Sequence, residues 1–356
     1  ILIFTNTLEK GGAEVQALAL SNVLQEQFKV YVVVFYGKQI HPELLASARR
    51  AHIELIFLSG NKLKNVFDLI GVIRKYHIDC IYSFLATTNV YAGIIGKLCR
   101  VPYLLGGIRS SRYKGMKMYV QRWVHNHCMT LSISNNYNGK DFLVKAGFQA
   151  DKIQVIHNAF VPKDTSLTQS PHELPIIVSV GRFVPEKDYA TALEAIHALR
   201  LQHPELSFRY RIIGYGPLEN EIRQYIKTMQ LEDITEILIN PMHIDQYLFA
   251  SDIFLQTSLF EGTSNAILEA MYAQLPIVAT KVGDNEYMVN PENGFLCEVK
   301  QINELVDKLG VLLQDTTLRK CMGEKSREIV CNRFSLNAFK EKNLELLERI
   351  QSNDAI

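Results

Sequence analysis

Residues Ile253-Phe254-Leu255-Gln256-Thr257-Ser258-Leu259-Phe260-Glu261-Gly262-Thr263-Ser264-Asn265-Ala266-Ile267-Leu268-Glu269-Ala270-Met271 read as one strand, one turn and one helix. The short apolar run 253–257 suits a buried strand, small residues make the turn, and Ser264 stands where a helix N-cap belongs. Strand–turn–helix is half of a crossover between parallel strands, and the same unit recurs along the chain. In the first half, strands are expected at 1–6, 29–36, 54–58, 80–84, 103–106, 130–133 and 153–156, with amphipathic helices such as 14–26, 66–76 and 90–98 between them. A second series follows at 176–180, 209–213, 236–238, 253–257, 276–279 and 294–297. Such alternation requires parallel strands with right-handed crossovers, hence an α/β doubly wound sheet.

Between the two series, residues 160–174 carry two prolines in a polar stretch without periodicity, which reads as a linker. The expected organisation is a first domain at 1–160, a linker at 161–174 and a second domain at 175–336. The strongly amphipathic stretch 337–350 is the last helix. Two facing domains of this kind hold a ligand between the carboxyl ends of their sheets.

Composition agrees with two soluble domains: 356 residues, 47% hydrophobic and 21% charged. No stretch approaches the length of an apolar membrane span. The chain opens on Ile1-Leu2-Ile3-Phe4, which reads as a strand rather than a leader, so a cytoplasmic location is expected. The six cysteines form no Cys-x-x-Cys pair and are expected to be buried, reduced thiols.

Three loops carry chemistry. At the start of the helix after 253–257, backbone N–H groups and the helix dipole make an anion site suited to phosphate. Gly262 lets backbone approach a ligand closely. Glu261 on the turn and Glu269 two turns into the helix would repel phosphate, so hydroxyls of a sugar or ribose are their natural partners. Second, Gly181-Arg182-Phe183-Val184-Pro185-Glu186-Lys187 ends the first strand of the second domain, and its two cations suit a diphosphate leaving group. Third, Glu9-Lys10-Gly11-Gly12-Ala13-Glu14 follows the first strand of the chain. It lacks the G-x-G-x-x-G spacing, which argues against a dinucleotide.

These loops, with Lys152-Ile153-Gln154-Val155-Ile156-His157-Asn158 before the linker, resemble the retaining glycosyltransferases of family 4, which have the GT-B fold of two facing Rossmann-like domains with the active site in the interdomain cleft. The resemblance covers essentially the whole chain. It implies a nucleotide-diphosphate sugar as co-substrate, UDP-linked by family preference, and no cofactor. By matching position, Arg182 and Lys187 take the diphosphate, Glu269 the ribose, and Glu261 the transferred sugar. Gly11, Gly12, Gly262, Thr263, Ser264 and Asn265 complete the donor site, and the base stacks in the loop around Met242. The final helix, in the resemblance, packs back on the first domain. Many members place a histidine where this chain has Arg109, which is therefore expected at the donor or at an acceptor phosphate. No residue clearly offers a nucleophile beneath the sugar, so front-face transfer is expected. No Asp-x-Asp occurs, so metal-independent transfer is expected. Alternatives within the resemblance are a nucleotide-sugar epimerase and a non-catalytic nucleotide-sugar binding protein.

The net charge of +1 conceals an asymmetry. Residues 1–165 hold 20 basic and 10 acidic residues, the remainder 18 and 27, and no acid occurs between Asp79 and Asp141. Within that interval Arg112, Lys114, Lys117 and Arg122 interleave with aromatic and methionine residues and with Trp123, the single tryptophan. This pattern suits an anionic membrane face or a lipid-linked saccharide acceptor in polysaccharide or glycolipid assembly. Nucleic acid is not expected, since no binding motif accompanies the charge.

Overall fold

A computed structural model describes residues 1–9, 11–59, 61–108, 115–162 and 172–352. Lys10, Arg109, Arg112 and Lys114 lie outside the described residues, as does most of the expected linker. The chain divides into two compact units, Ile1–Ala159 with Leu336–Ile356, and Phe160–Ser335.

In the first unit the strands are β1 (Leu2–Thr5), β2 (Tyr31–Val34), β3 (Glu54–Phe57), β4 (Cys80–Ser83), β5 (Tyr103–Ile108), β6 (Leu131–Ser134) and β7 (Ile153–Val155). All pair in parallel, in the order β3-β2-β1-β4-β5-β6-β7. β5 runs two residues past its expected end, through Gly107. A Cβ on Gly107 would lie 2.7 Å from the Ser83 carbonyl oxygen, so the glycine that weakens the strand signal is what admits the neighbouring backbone.

Both faces of this sheet are covered. Ile3, Val32, Val34, Tyr82 and Leu105 point to one side, where they meet Leu20 and Leu24 of the helix Gly12–Leu24. The closing helix Leu336–Gln351 packs into that same core through Phe339, Leu346, Leu347 and Ile350. Its Asn343 accepts a buried hydrogen bond from the Tyr82 hydroxyl, and Lys340 pairs with Glu26 at the rim. Alternate residues Leu2, Phe4, Val33 and Ile81 face the other side, against Leu69, Ile95 and Val124 from the helices Lys62–Lys75, Ala86–Leu98 and Met116–His127. This is the period-2 burial of a sheet with two apolar faces.

The second unit repeats the plan with β8 (Ile176–Arg182), β9 (Arg209–Tyr215), β10 (Thr235–Ile239), β11 (Ile253–Gln256), β12 (Ile277–Thr280) and β13 (Gly294–Cys297), again parallel, in the order β10-β9-β8-β11-β12-β13. Gly214 sits opposite Gly181, and a Cβ on it would fall 1.9 Å from the Gly181 carbonyl oxygen. In each unit the strand order reverses once, between β1 and β4 and between β8 and β11. Crossover helices there leave toward opposite faces and open a crevice at the carboxyl edge.

Assigned to the observed units, the charge asymmetry persists. The first holds 22 basic and 13 acidic residues, the second 16 and 24. No described helix is long and apolar enough to cross a membrane. The cysteine expectation needs correction. Burial pushes the Cys80 and Cys297 thiols up to about 12 and about 11, but Cys99 and Cys128 are half-buried, and Cys321 and Cys331 are exposed. Both exposed thiols ride on Thr316–Arg333, a helix with little apolar face, where their neighbours in sequence said nothing of burial.

Candidate functional site

The crevice between β8 and β11 collects the residues of two sequence loops. β8 ends at Arg182, and a single 3-10 turn, Pro185–Lys187, follows. Asp188 then adopts a left-handed conformation (φ 45°) before the helix Tyr189–Gln202. The loop is anchored to the one after β11. The Leu259 N–H donates to the Glu186 carbonyl at 2.8 Å, and the Thr257 hydroxyl donates to the Asp188 carbonyl at 2.9 Å. From within, the Tyr189 hydroxyl donates to the Gly181 carbonyl at 3.1 Å.

This anchoring brings Lys187 and Glu261 together across 74 residues of sequence. Lys187 Nζ donates to Glu261 Oε1 at 2.5 Å, and the Ser258 hydroxyl donates to the same oxygen at 2.7 Å. Both charged side chains are mostly buried, so the pair is shielded from the solvent screening that weakens surface pairs. Below the turn, Gly283 has φ 56°, and a Cβ on it would lie 2.2 Å from the Glu261 carbonyl oxygen. The next residue, Asp284, is fully buried, and its N–H donates to the Gly262 carbonyl at 3.2 Å. The Thr263 hydroxyl approaches the Asp284 carboxylate at 3.4 Å.

Ser264 caps the helix Asn265–Tyr272, its Oγ accepting from the Ile267 N–H at 3.4 Å. That Oγ also accepts from Gln256 Nε2 at 2.9 Å, which ties the helix start to the end of β11. Asn285, fully buried, donates to the Thr280 carbonyl at 2.9 Å, while its Oδ1 has no hydrogen-bond partner among the described residues. The first turn therefore presents its N–H groups from a rigid base. With the dipole they favour an anion there.

The remaining sequence candidates are dispersed. Arg182 is exposed and makes no ion pair among the described residues, leaving its fork of donors available. Glu269 is half-buried on the same helix as Asn265 and lines an apolar pocket with Phe160, Ile244, Leu248, Phe249 and Tyr272. Met242 is 88% exposed in the loop after β10, an apolar side chain held at the sheet's carboxyl edge. In the first unit, Gly11 precedes the helix Gly12–Leu24 at the corresponding edge. A Cβ on Gly11 would lie 2.4 Å from a carboxylate oxygen of Glu14, whose other oxygen accepts from the Thr7 hydroxyl at 3.0 Å. Lys117 and Trp123 are exposed on the helix Met116–His127, but Arg122 folds back and donates to the Ala146 carbonyl at 3.0 Å. It thereby caps the helix Tyr137–Lys145.

Ser258, Gly283 and Asp284 were not singled out in the sequence. Ser258 lay inside the quoted turn but without periodicity or charge to mark it. Gly283-Asp284 follows β12, a strand away, and only the sheet order places it beneath Glu261. His125 is structural. It is buried, its Nε2 meets the Gln149 carbonyl at 3.1 Å and its Nδ1 the Ser132 hydroxyl at 2.7 Å.

Comparison with known proteins agrees with this division. Residues 10–163 match the family described as Glycosyltransferase Family 4, and residues 162–329 match Glycosyl transferases group 1. WcaL of Escherichia coli (strain K12) is 30% identical over 237 residues, covering 62% of this chain and 57% of WcaL, so the match spans just over half of that relative's length. An Escherichia coli UDP-Gal:alpha-D-GlcNAc-diphosphoundecaprenol alpha-1,3-galactosyltransferase is 26% identical over 297 residues, covering 77% of this chain and 76% of that one. Among solved structures, HepE of Anabaena in complex with UDP superposes with a TM-score of 0.80 at 20% identity, covering 98% of this chain and 99% of that one. With two Rossmann-like units of parallel sheet, each matching one of the paired families, the chain has the GT-B fold and belongs to the group 1 glycosyltransferases of the family 4 type.

Proposed function

We propose that this glycosyltransferase moves a sugar from a nucleotide-diphosphate donor to a lipid-linked saccharide, with retention of anomeric configuration. The observation that carries the reading is the Lys187–Glu261 pair beside the capped start of the helix Asn265–Tyr272. A cation and a helix N-terminus in one crevice match the diphosphate of such a donor, and a carboxylate beside them matches its sugar hydroxyls. Arg182 and Lys187 hold the diphosphate and stabilise it as it leaves. Glu261 orients the sugar, Glu269 takes the ribose, and Met242 offers a face to the base. Gly11 and Gly12 leave room for the donor at the edge of the first unit, and Arg109 is assigned to the donor or to an acceptor phosphate.

In the transfer, the bond from the anomeric carbon to the diphosphate oxygen breaks and a bond to the acceptor oxygen forms on the same face. The acceptor's hydroxyl proton passes to the departing diphosphate. The related galactosyltransferase supports UDP as the nucleotide and a polyprenyl-diphosphate saccharide as the acceptor, since both are in its name. Polysaccharide or glycolipid assembly at the cytoplasmic membrane face is the setting this acceptor implies.

Incubation with a panel of UDP- and GDP-sugars tests the reading. One donor is expected to undergo slow hydrolysis, and faster consumption with a polyprenyl-diphosphate saccharide, yielding the retained anomer by NMR. Activity is expected to survive a chelator, because cationic side chains serve the diphosphate. Full transfer by Glu261→Ala would sink the proposal.

A further inference from the structure

We infer that the outer surface of three neighbouring helices in the first unit, Lys62–Lys75, Ala86–Leu98 and Met116–His127, is a docking face for an anionic lipid bilayer. The inference rests on the proposed lipid-linked acceptor for its biological setting, but its observations are independent of the donor site.

The three helices form one layer over the sheet. Tyr91 donates from its hydroxyl to the Lys62 carbonyl at 3.4 Å, joining the first to the second. Gly93 packs so closely on the third that a Cβ there would lie 2.7 Å from Val124, and Lys97 Nζ donates to the His127 carbonyl at 2.6 Å. Their inner sides are conventional, burying Leu69, Ile73, Ala92, Ile95 and Val124. Their outer sides are not. Leu63 is 79% exposed, Phe67 74%, Leu98 74% and Met116 76%, with Ile94 and Trp123 also exposed. Scattered exposed apolar residues are ordinary, but large ones on each of three adjacent helices mark an interaction surface.

Charge selects the occupant. The three helices carry seven lysines and arginines, of which Arg122 turns inward to the Ala146 carbonyl, against a single acid, Asp68. An apolar surface that also carries lysines and arginines suits the headgroups and upper acyl region of an anionic bilayer. No described helix can cross a bilayer, so contact is with the surface. Leu63, Phe67, Ile94 and Leu98 all lie outside the basic stretch 112–124, so the face is broader than the sequence pattern suggested.

The chain's single tryptophan supplies the probe. Trp123 emission is expected to shift to the blue on adding vesicles of phosphatidylcholine with phosphatidylglycerol, to be quenched by shallow brominated acyl chains, and to respond little to phosphatidylcholine alone. Phe67→Ser and Leu98→Ser, both at exposed positions, are expected to weaken vesicle flotation about tenfold each while leaving melting temperature and donor hydrolysis in free solution unchanged. Wild-type flotation by the double variant would overturn the inference. So would a Trp123 shift that follows protein concentration without lipid, which would make the face a contact between copies. Donor hydrolysis is read in the same preparation. A chain that hydrolyses donor but ignores vesicles loses only this inference, and one that floats but consumes no donor loses only the proposed function.

Discussion

Lys187 Nζ and Glu261 Oε1 stand 2.5 Å apart at the reversal point of the second sheet, and Ser258 donates to the same carboxylate oxygen. One side chain that would hold the diphosphate therefore also positions the one that would hold the sugar.

Removing Ser258 tests that coupling. Ser258→Ala keeps the ion pair but deletes the hydroxyl donor to Oε1, and a hydrogen bond to a charged group contributes about 1.5–3 kcal/mol. The expected result is a kcat about 10- to 100-fold lower, with donor KM changed far less and the melting temperature within a few degrees. Lys187→Ala should lower kcat/KM further and raise donor KM as well, because it also removes a phosphate contact. Steady-state kinetics with the preferred donor separates the two.

Gly283→Ala places a methyl group 2.2 Å from the Glu261 carbonyl oxygen at a residue with φ 56°. The strain cannot be relieved without moving the turn that carries Glu261. Destabilisation of about 1–3 kcal/mol and loss of transfer are expected, read by denaturant unfolding and by activity. Gly12→Ala, where no described atom beyond its chain neighbours and its own helix backbone lies within 4 Å of the added carbon, should keep the stability of the wild type.

His125 makes a prediction about pH. Burial, the dominant cause, pushes its pKa down from 6.5 to about 4, with Lys152 adding to the shift and the Gln149 carbonyl and Asp151 opposing it. A carbonyl can only accept, so Nε2 carries the proton and Nδ1 accepts from Ser132. The folded pKa lies below the unfolded one, so both states are neutral above pH 6.5 and only the unfolded state gains a proton just below it. Stability is therefore lost as pH falls from about 6.5 toward 4, by about 3 kcal/mol for this group. His125→Gln should flatten that part of the stability profile, measured as urea midpoint against pH.

Asn343→Leu would remove the hydrogen bond that the buried Tyr82 hydroxyl donates where the closing helix meets β4. A loss of about 1–3 kcal/mol is expected, with activity per folded molecule retained. Tyr82→Phe combined with Asn343→Leu should recover part of it, which a double-mutant cycle would measure.

The alternation of strand and helix was legible in the sequence because period-2 and period-3.6 burial are local properties. The Ser264 cap and the loops containing Gly181, Lys187 and Glu261 could be read for the same reason, each lying within one turn of its strand. The end of β5 was misplaced because Gly106 and Gly107 weaken a strand signal, while the purpose of Gly107, close approach to the backbone at Ser83, is not local. Cysteine burial was misjudged at Cys321 and Cys331, since the side of the helix a residue occupies, not its neighbours in sequence, decides its burial.

By itself the sequence determined the two α/β units, the family and the loops that carry charge, since composition, spacing and glycine positions suffice for these. Only the tertiary structure decided which of those loops meet. Sheet order set β8 beside β11, so Lys187 reached Glu261 across 74 residues while Arg182, five positions away, stayed exposed. It also brought three helices from separate crossovers into one layer, with Leu63, Phe67 and Leu98 left outward. Periodicity tells a residue which side of its own helix it occupies. Whether that side meets another part of the protein depends on what else the fold brings there.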